Sequence, residues 1–363
     1  MQIGIIGLPK AGKTTVFNAV TKANVSPSSY SSKPNISVAK VPDSRLDTLA
    51  QMYKPRRVTP AEVTYIDLPP VPEGFARGSG IGGEYLNALQ AADALMVVIR
   101  GFQNDSVPHI EETIDPFRDL ENMLLEICFA DLIIVERRLG RLNDGLKGAK
   151  AREKDILKYE QELLLNVKAS LDQGLALRGQ QLASEDRKII AGFGFLSVKP
   201  LIAVLNTDEE QLGSIERLEE KLESSISGDQ IHSIILSAKL EMELAQMDPA
   251  DEMELREGLV VGEPSLQRMI TLSYQAVDQV CFFTVGEDEV RAWEISRNTS
   301  AQKAAGKIHS DLERGFIRAE VISYENLVDC GGLIEGRKRG VLRQEGKDYT
   351  VKDGEIMHVL FNI

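Results

Sequence analysis

One octet near the amino terminus constrains this chain more than any other feature: Gly7-Leu8-Pro9-Lys10-Ala11-Gly12-Lys13-Thr14. The apolar run Ile3 to Ile6 before it predicts a buried strand, and Thr15-Val16-Phe17-Asn18-Ala19-Val20 after it predicts a helix. A strand, a glycine loop with G-x-x-x-x-G-K-S/T spacing and a helix together form the arrangement that holds a nucleotide's phosphate tail. The glycines let the amides of the loop, from Lys10 through Ala11 and Gly12 to Thr15, converge on phosphate oxygens. The helix dipole adds to that attraction. Lys13 is expected to reach the β- and γ-phosphates, and the Thr14 hydroxyl to ligate Mg²⁺.

At 363 residues the chain has room for two or three domains. No stretch approaches the length of apolar sequence that a membrane helix needs, so no membrane role is expected. Met1-Gln2-Ile3 runs straight into the predicted strand, which leaves no export signal. Three widely spaced cysteines (Cys128, Cys281, Cys330) form no C-x-x-C pair, so a reducing cytoplasm is the expected setting. The four histidines show no metal-ligand spacing, and structural roles are expected for each. A net charge of −13 opposes non-specific coating of nucleic acid, and no DNA partner is expected; RNA contact needs a local basic patch.

The fold class is α/β. Ala61 to Asp67 alternates like a strand, and Ala94 to Arg100 is continuously apolar, as in a parallel strand covered on both faces. Two more such runs, Pro200 to Asn206 and Ile231 to Ser237, follow a long interruption rich in Leu, Glu, Lys, Arg and Ala. Within it Leu132, Ile133, Val135, Leu139, Leu142 and Leu146 step by helical intervals, which predicts an inserted antiparallel coiled coil. Strands at Cys281–Val285, Glu320–Ser323 and Met357–Asn362, with a helix over Thr299–Leu312, predict a small carboxy-terminal α+β domain. Turn signals at Gly346–Tyr349 and Lys352–Glu355 bracket a further short strand. The expected division is 1–117 with 197–277 for the nucleotide-binding domain, 118–196 for the helical insert and 278–363 for the last domain.

Asp67 ends the right strand at the right separation to organise Mg²⁺ through water. Base selection falls on Asn206-Thr207-Asp208-Glu209 at the end of a buried strand, with Ser237-Ala238-Lys239 forming the loop beside the base. A guanine-reading N-K-x-D motif would need Lys and Asp where Thr207 and Glu209 stand. Glu209 carries its carboxylate one methylene further out, so ATP is favoured. Asp208, one position earlier, keeps GTP open.

The chain resembles the YchF/Obg-like ATPases, a branch of the P-loop NTPases, over nearly its whole length. The most specific matches are Gln267-Arg268-Met269-Ile270, Gly286-Glu287-Asp288-Glu289-Val290-Arg291-Ala292-Trp293 and Ala304-Ala305-Gly306-Lys307-Ile308-His309-Ser310-Asp311. Gly315 to Val321 and Glu345 to Tyr349 are similar to that family's carboxy-terminal β-grasp (TGS) domain, and Asn206 with Glu209 is similar to its ATP-accepting motif. The resemblance implies a G-domain with a parallel-type sheet, an inserted α-helical coiled coil, Mg²⁺-dependent ATP hydrolysis and ribosome binding. It places Ser31 as the second Mg²⁺ ligand. Three departures stand out. Ser31 replaces a threonine, and Pro70 lacks the amide with which a glycine would sense the γ-phosphate. Lys10 stands where the family has an asparagine, which in related potassium-activated P-loop enzymes helps hold a monovalent cation; the expectation is either a fixed cation in place of that ion or an exposed lysine that only raises nucleotide affinity. Val71 supplies no catalytic group.

A slow ATPase with Lys13 and Lys10 as its catalytic groups is the leading expectation. A GTPase and a non-hydrolysing nucleotide-bound adaptor are the alternatives. Two basic clusters stand against the acidic background, Arg337-Lys338-Arg339 with Arg343, and Lys147, Lys150, Arg152 and Lys154; either suits a phosphate backbone, and either is also compatible with a solvated face.

Overall fold

The computed structural model describes residues 1–25, 34–69, 83–226, 231–258 and 265–362. In chain order the first part comprises β1 (Gln2–Ile6), α1 (Lys13–Thr21), β2 (Asn35–Lys40), α2 (Ser44–Tyr53), β3 (Arg57–Thr59), β4 (Glu62–Asp67), α3 (Gly83–Ala91) and β5 (Ala94–Arg100). Next come α4 (Pro116–Gly148), α5 (Ala151–Asp172), α6 (Ser184–Ala191), β6 (Leu201–Asn206), a 3₁₀ turn (Glu209–Ser214), α7 (Ile215–Ile226), β7 (Ile231–Leu236), α8 (Ala238–Leu244), α9 (Pro249–Gly258) and α10 (Ser265–Ala276). The remainder comprises β8 (Gln279–Thr284), β9 (Glu289–Ser296), α11 (Ala301–Ile308), α12 (Ser310–Arg314), β10 (Phe316–Ser323), α13 (Tyr324–Cys330), α14 (Leu333–Lys338), β11 (Arg343–Glu345) and β12 (Glu355–Phe361).

Two compact units result. One is built from Gln2–Ser37 and Thr64–Leu272, the other from Met1, Val38–Val63 and Ser273–Ile363.

The first unit is organised on a sheet of order β2-β4-β1-β5-β6-β7, in which β4, β1, β5, β6 and β7 run parallel. Every residue of β5 and β6 is buried, which is why these strands read as unbroken apolar runs. Leu95, Val97 and Ile99 of β5 join Leu201, Ala203 and Leu205 of β6 on one face, against Leu120, Met123 and Ile127 of α4 and Leu222 and Ile226 of α7. Beyond that base α4 continues for many turns beside α5, with Val135 and Leu142 packed among Leu163, Leu164, Val167 and Leu171. Ala149 and Lys150 turn the chain between the two, giving an antiparallel helical hairpin. Asp115 caps α4 by accepting from the amides of Phe117 and Arg118, and Pro116 occupies the first turn where its missing amide costs nothing. Arg138 grips Glu160 through two hydrogen bonds of 2.7 and 2.8 Å across the hairpin.

The second unit has a mixed sheet of order β11-β10-β12-β8-β9-β3. Strand alternation assigns its residues to two cores. Val280 and Phe282 of β8 face the alanine side of α11 (Ala301, Ala304, Ala305), while Cys281 and Phe283 face Leu46 and Leu49 of α2 and Leu327 of α13. The segment holding α2 and β3 thus completes this unit: β3 pairs with β9 from Arg57 opposite Glu289 to Thr59 opposite Arg291.

Two local expectations are corrected. The helix over Thr299–Leu312 is two helices, because His309 is extended (φ −164°) and its Nδ1 accepts the Asp311 amide, starting α12. The short strand between the turns at 346 and 355 is reduced to one bridge, Ser300 with Thr350; the strand lies earlier, at Arg343–Glu345, where it pairs with β10.

Candidate functional site

The octet lies between β1 and α1, and its backbone explains its glycines. Gly7 has φ +151°, and a Cβ there would collide with the Val98 carbonyl of β5. Gly12 has φ +91°, and a Cβ there would collide with the Asn206 amide nitrogen. Lys10, exposed at the crest of the loop, is itself left-handed at φ 64°, a conformation that costs a non-glycine residue about 1 kcal/mol. Among the described residues no side chain caps the amino end of α1, whose N-cap is Gly12, and no acidic residue sits in its first turn. Those amides, from Gly12 through Lys13 and Thr14 to Thr15, therefore present an uncompensated positive end.

Lys13 is buried, and its ammonium donates to the Gly7 and Leu8 carbonyls at 3.0 and 3.1 Å. Burial pulls its pKa down to about 8, against the opposing charge of Asp67. The Thr14 hydroxyl donates to Asp67 Oδ2 at 2.8 Å, and Asn35 Nδ2 reaches the same oxygen at 3.2 Å. Burial raises the Asp67 pKa, while those two hydrogen bonds and the Lys13 charge act in the opposite sense. Asp67 Oδ1 is buried with no hydrogen-bond partner among the described residues. A hydroxyl beside an unsatisfied carboxylate oxygen is a hard all-oxygen donor set, and it fits Mg²⁺ with its waters. Ser31, Pro70 and Val71 lie outside the described residues.

Asn206 ties the loop to the other side of the site. Its Nδ2 donates to Ala11 O at 3.1 Å and its Oδ1 accepts the Ala238 amide at 3.0 Å, joining the octet to the start of α8. Thr207 donates its amide to Leu236 O at 2.9 Å, and Ser237 stands buried at the N-cap of α8. Glu209 opens the exposed 3₁₀ turn beyond Asp208. The structure thus gathers Lys10 to Thr15, Asp67, Asn206, Thr207, Ser237 and Ala238 at one end of the parallel strands, the position where such sheets bind ligands.

Sequence reasoning missed two neighbours. Phe102, just past β5, is half-buried with its ring edge 3.7 Å from the Gly12 Cβ position. The guanidinium of buried Arg100 lies 4.5 Å from the centre of that ring. The only signal available was an arginine ending an apolar strand, followed by a lone aromatic. His109 was assigned a structural role, and its Nε2 lies 2.9 Å from Asp119 Oδ2 at the start of α4.

The basic clusters differ once folded. Arg337 pairs with Glu320, Lys338 and Arg339 with Glu335, and Arg343 with Glu355, so that patch is internally compensated. At the hairpin tip Lys147 pairs with Asp144, whereas Lys150, Arg152 and Lys154 have no ion pair among the described residues.

Among the described residues, no helix is long and apolar enough to cross a membrane. Residues 2–136 match a family described as a 50S ribosome-binding GTPase, and residues 280–362 match the YchF-GTPase carboxy-terminal family, described as a protein of unknown function. The chain is 36% identical to the ribosome-binding ATPase YchF of Haemophilus influenzae, covering 100% of this chain and 99% of that protein. It is 34% identical to its Bacillus subtilis counterpart over the whole of both, and 34% identical to the Obg-like ATPase 1 of rice over 100% of this chain and 92% of the other. The solved structure of the Schizosaccharomyces pombe YchF GTPase superposes with a TM-score of 0.87 at 31% identity, over 99% of this chain and 97% of that one. With a P-loop sheet, a helical insert and full-length similarity of this kind, the chain belongs to the YchF family of P-loop NTPases.

Proposed function

We propose that this chain binds ATP with Mg²⁺ in the loop of residues 7–14, hydrolyses it slowly, and couples nucleotide state to docking on a ribosome in the cytoplasm. The observation that carries the reading is the uncapped amino end of α1 beside a buried lysine held by two loop carbonyls. A triphosphate offers that ammonium a polyanion in their place. Lys13 and the backbone from Lys10 to Thr15 clamp the phosphates, and Thr14, Ser31 and Asp67 hold the metal. Bound Mg²⁺ would neutralise charge on the phosphate oxygens. Lys13 stabilises charge on the transferring phosphate, and Lys10 adds a fixed cation from the loop crest.

Phe102 supplies an apolar face for the adenine, while Asn206, Thr207, Ser237, Ala238 and Glu209 shape the rest of the base pocket. Lys150, Arg152 and Lys154 at the hairpin tip contact RNA phosphates, the compensated cluster at 337–343 less so. The names of the relatives, ribosome-binding ATPases among them, support the same reading.

Calorimetric titration of ATP, ADP and GTP with Mg²⁺ tests base choice and γ-phosphate sensing together, and failure of ATP to bind ends the proposal. Phosphate release with and without ribosomes separates an ATPase from a nucleotide-bound adaptor. Turnover in potassium against sodium, for wild type and Lys10→Asn, tests Lys10: a wild type steeply dependent on potassium removes its role. Reversing the three tip charges should abolish salt-sensitive co-sedimentation with ribosomes. GTP is the second reading, since the amino-terminal family and the fission-yeast structure carry GTPase names.

A further inference from the structure

Between β5 and the Asn206 strand end, the short loop Gly101–Asn104 is held from two directions. From beneath, Arg100 Nε donates to the Phe102 carbonyl at 3.1 Å and its Nη2 to the Asn104 carbonyl at 3.5 Å, while the guanidinium covers the Phe102 ring. From the side, Asp208 Oδ2 accepts the Gln103 amide at 2.8 Å. The Gly101 amide donates to Asn206 O at 2.7 Å, which brings the two loops into register.

Neither side chain does what its position alone would suggest. Asp208 occupies the N-cap position of the 3₁₀ turn, a place where aspartate ordinarily accepts turn amides, yet it makes no such bond and reaches back to Gln103 instead. Arg100 is buried, and its Nη1 has no hydrogen-bond partner among the described residues, a cost to folding of the kind that functional sites carry. Asp208 is close enough for its charge to offset part of the burial of Arg100.

We propose that Arg100 and Asp208 are positioning residues for base recognition: together they clasp the Gly101–Asn104 loop so that the Phe102 ring stands at the Gly12–Asn206 corner to stack on the purine. This rests on the nucleotide reading above and deepens it. Asp208, already engaged by a backbone amide, is thereby a part of the scaffold and not a reader of guanine. The phosphates would be gripped by the octet's own amides and by Lys13, whose hydrogen bonds to Gly7 and Leu8 involve neither Arg100 nor Asp208.

The test compares Mg²⁺-ATP with Mg²⁺-tripolyphosphate, a ligand without a base, by calorimetry on the full chain. Asp208→Ala is the primary variant because Asp208 is only partly buried; Arg100→Lys, at a buried position, is secondary. Loss of stacking order in Asp208→Ala is expected to weaken ATP about tenfold and to leave tripolyphosphate within about twofold. Asp208→Asn, whose amide oxygen still accepts from Gln103, should stay within about threefold of wild type for ATP. The clasp is overturned if Asp208→Ala leaves ATP binding unchanged, weakens both ligands equally, or is matched in its loss by Asp208→Asn. A wild-type chain that binds ATP no more tightly than tripolyphosphate overturns the base-binding reading itself, and is recognised before any variant is made.

Discussion

The buried ammonium of Lys13 makes nucleotide affinity depend on pH in a calculable way. Its pKa is pushed down to about 8, because burial lowers it by more than the charge of Asp67 raises it. A bound triphosphate surrounds the same ammonium with negative charge and returns it to the fully protonated form. Binding above pH 7 must therefore take up a proton: about 0.1 per site at pH 7, about 0.5 at pH 8 and about 0.9 at pH 9. Integrated over that range, affinity falls about tenfold from pH 7 to pH 9, or about 1.4 kcal/mol. Phosphate oxygens, with a second pKa of about 6, are already ionised and contribute little there. Calorimetry at pH 8.5 in buffers of different ionisation enthalpy reads the uptake directly. Lys13→Arg, permanently charged, should lose the pH dependence whatever its absolute affinity. Identical heats in all buffers, with wild-type affinity constant within about twofold from pH 7 to 9, would refute the reasoning. The stability of the free chain has the opposite trend. Its folded state binds fewer protons than the unfolded chain between about pH 8 and the ordinary lysine value, so this group's contribution rises with pH across that window.

Asn206→Ala leaves the Ala11 carbonyl and the Ala238 amide unpaired in a buried site, and urea unfolding should show a loss of about 2–4 kcal/mol; under 1 kcal/mol would mean that the two loops are not joined through it. Gly12→Ala, strained at its φ and facing the Asn206 amide, should weaken ATP at least about tenfold, whereas Gly213→Ala, with open space around it, serves as a neutral control. Gly140→Ala, on the exposed face of α4 with nothing near its Cβ, should stabilise the chain by about 1 kcal/mol in the same unfolding assay. Asp131, buried in α4 and accepting the Leu196 and Ser197 amides at 2.8 and 2.7 Å, has its pKa raised to about 6 by burial. A raised carboxyl pKa costs stability as the group ionises, so the stability difference between wild type and Asp131→Asn should shift by up to about 3 kcal/mol between pH 4 and 6 and level off above; a pH-independent difference would contradict this.

What was legible in the sequence was what local pattern encodes. The unbroken apolar runs of β5 and β6 announced strands buried on both faces, and the octet announced its own loop because its glycines are demanded by backbone angles. The helical stepping of α4 and α5 announced a hairpin. The alternation Glu289 to Ile295, which forms β9, was equally readable as a strand and was absorbed instead into a family motif. His309 illustrates a limit: an extended residue that breaks a helix and caps the next has no sequence pattern of its own.

Composition and spacing determined by themselves that this chain holds a phosphate loop, a parallel sheet and a long helical insert, because those depend on residues close in sequence. Only the tertiary structure decided which distant groups meet: Asn206 with Ala11, Asp208 with Gln103, and Val38–Val63 within the carboxy-terminal unit. It also decided which lysines and arginines keep their charge for a partner, since Glu320 and Glu355 neutralise arginines on other elements of the fold. The reason is physical. Hydrogen bonds and ion pairs between remote segments depend on where strands and helices finally lie, and residue order alone does not fix those positions.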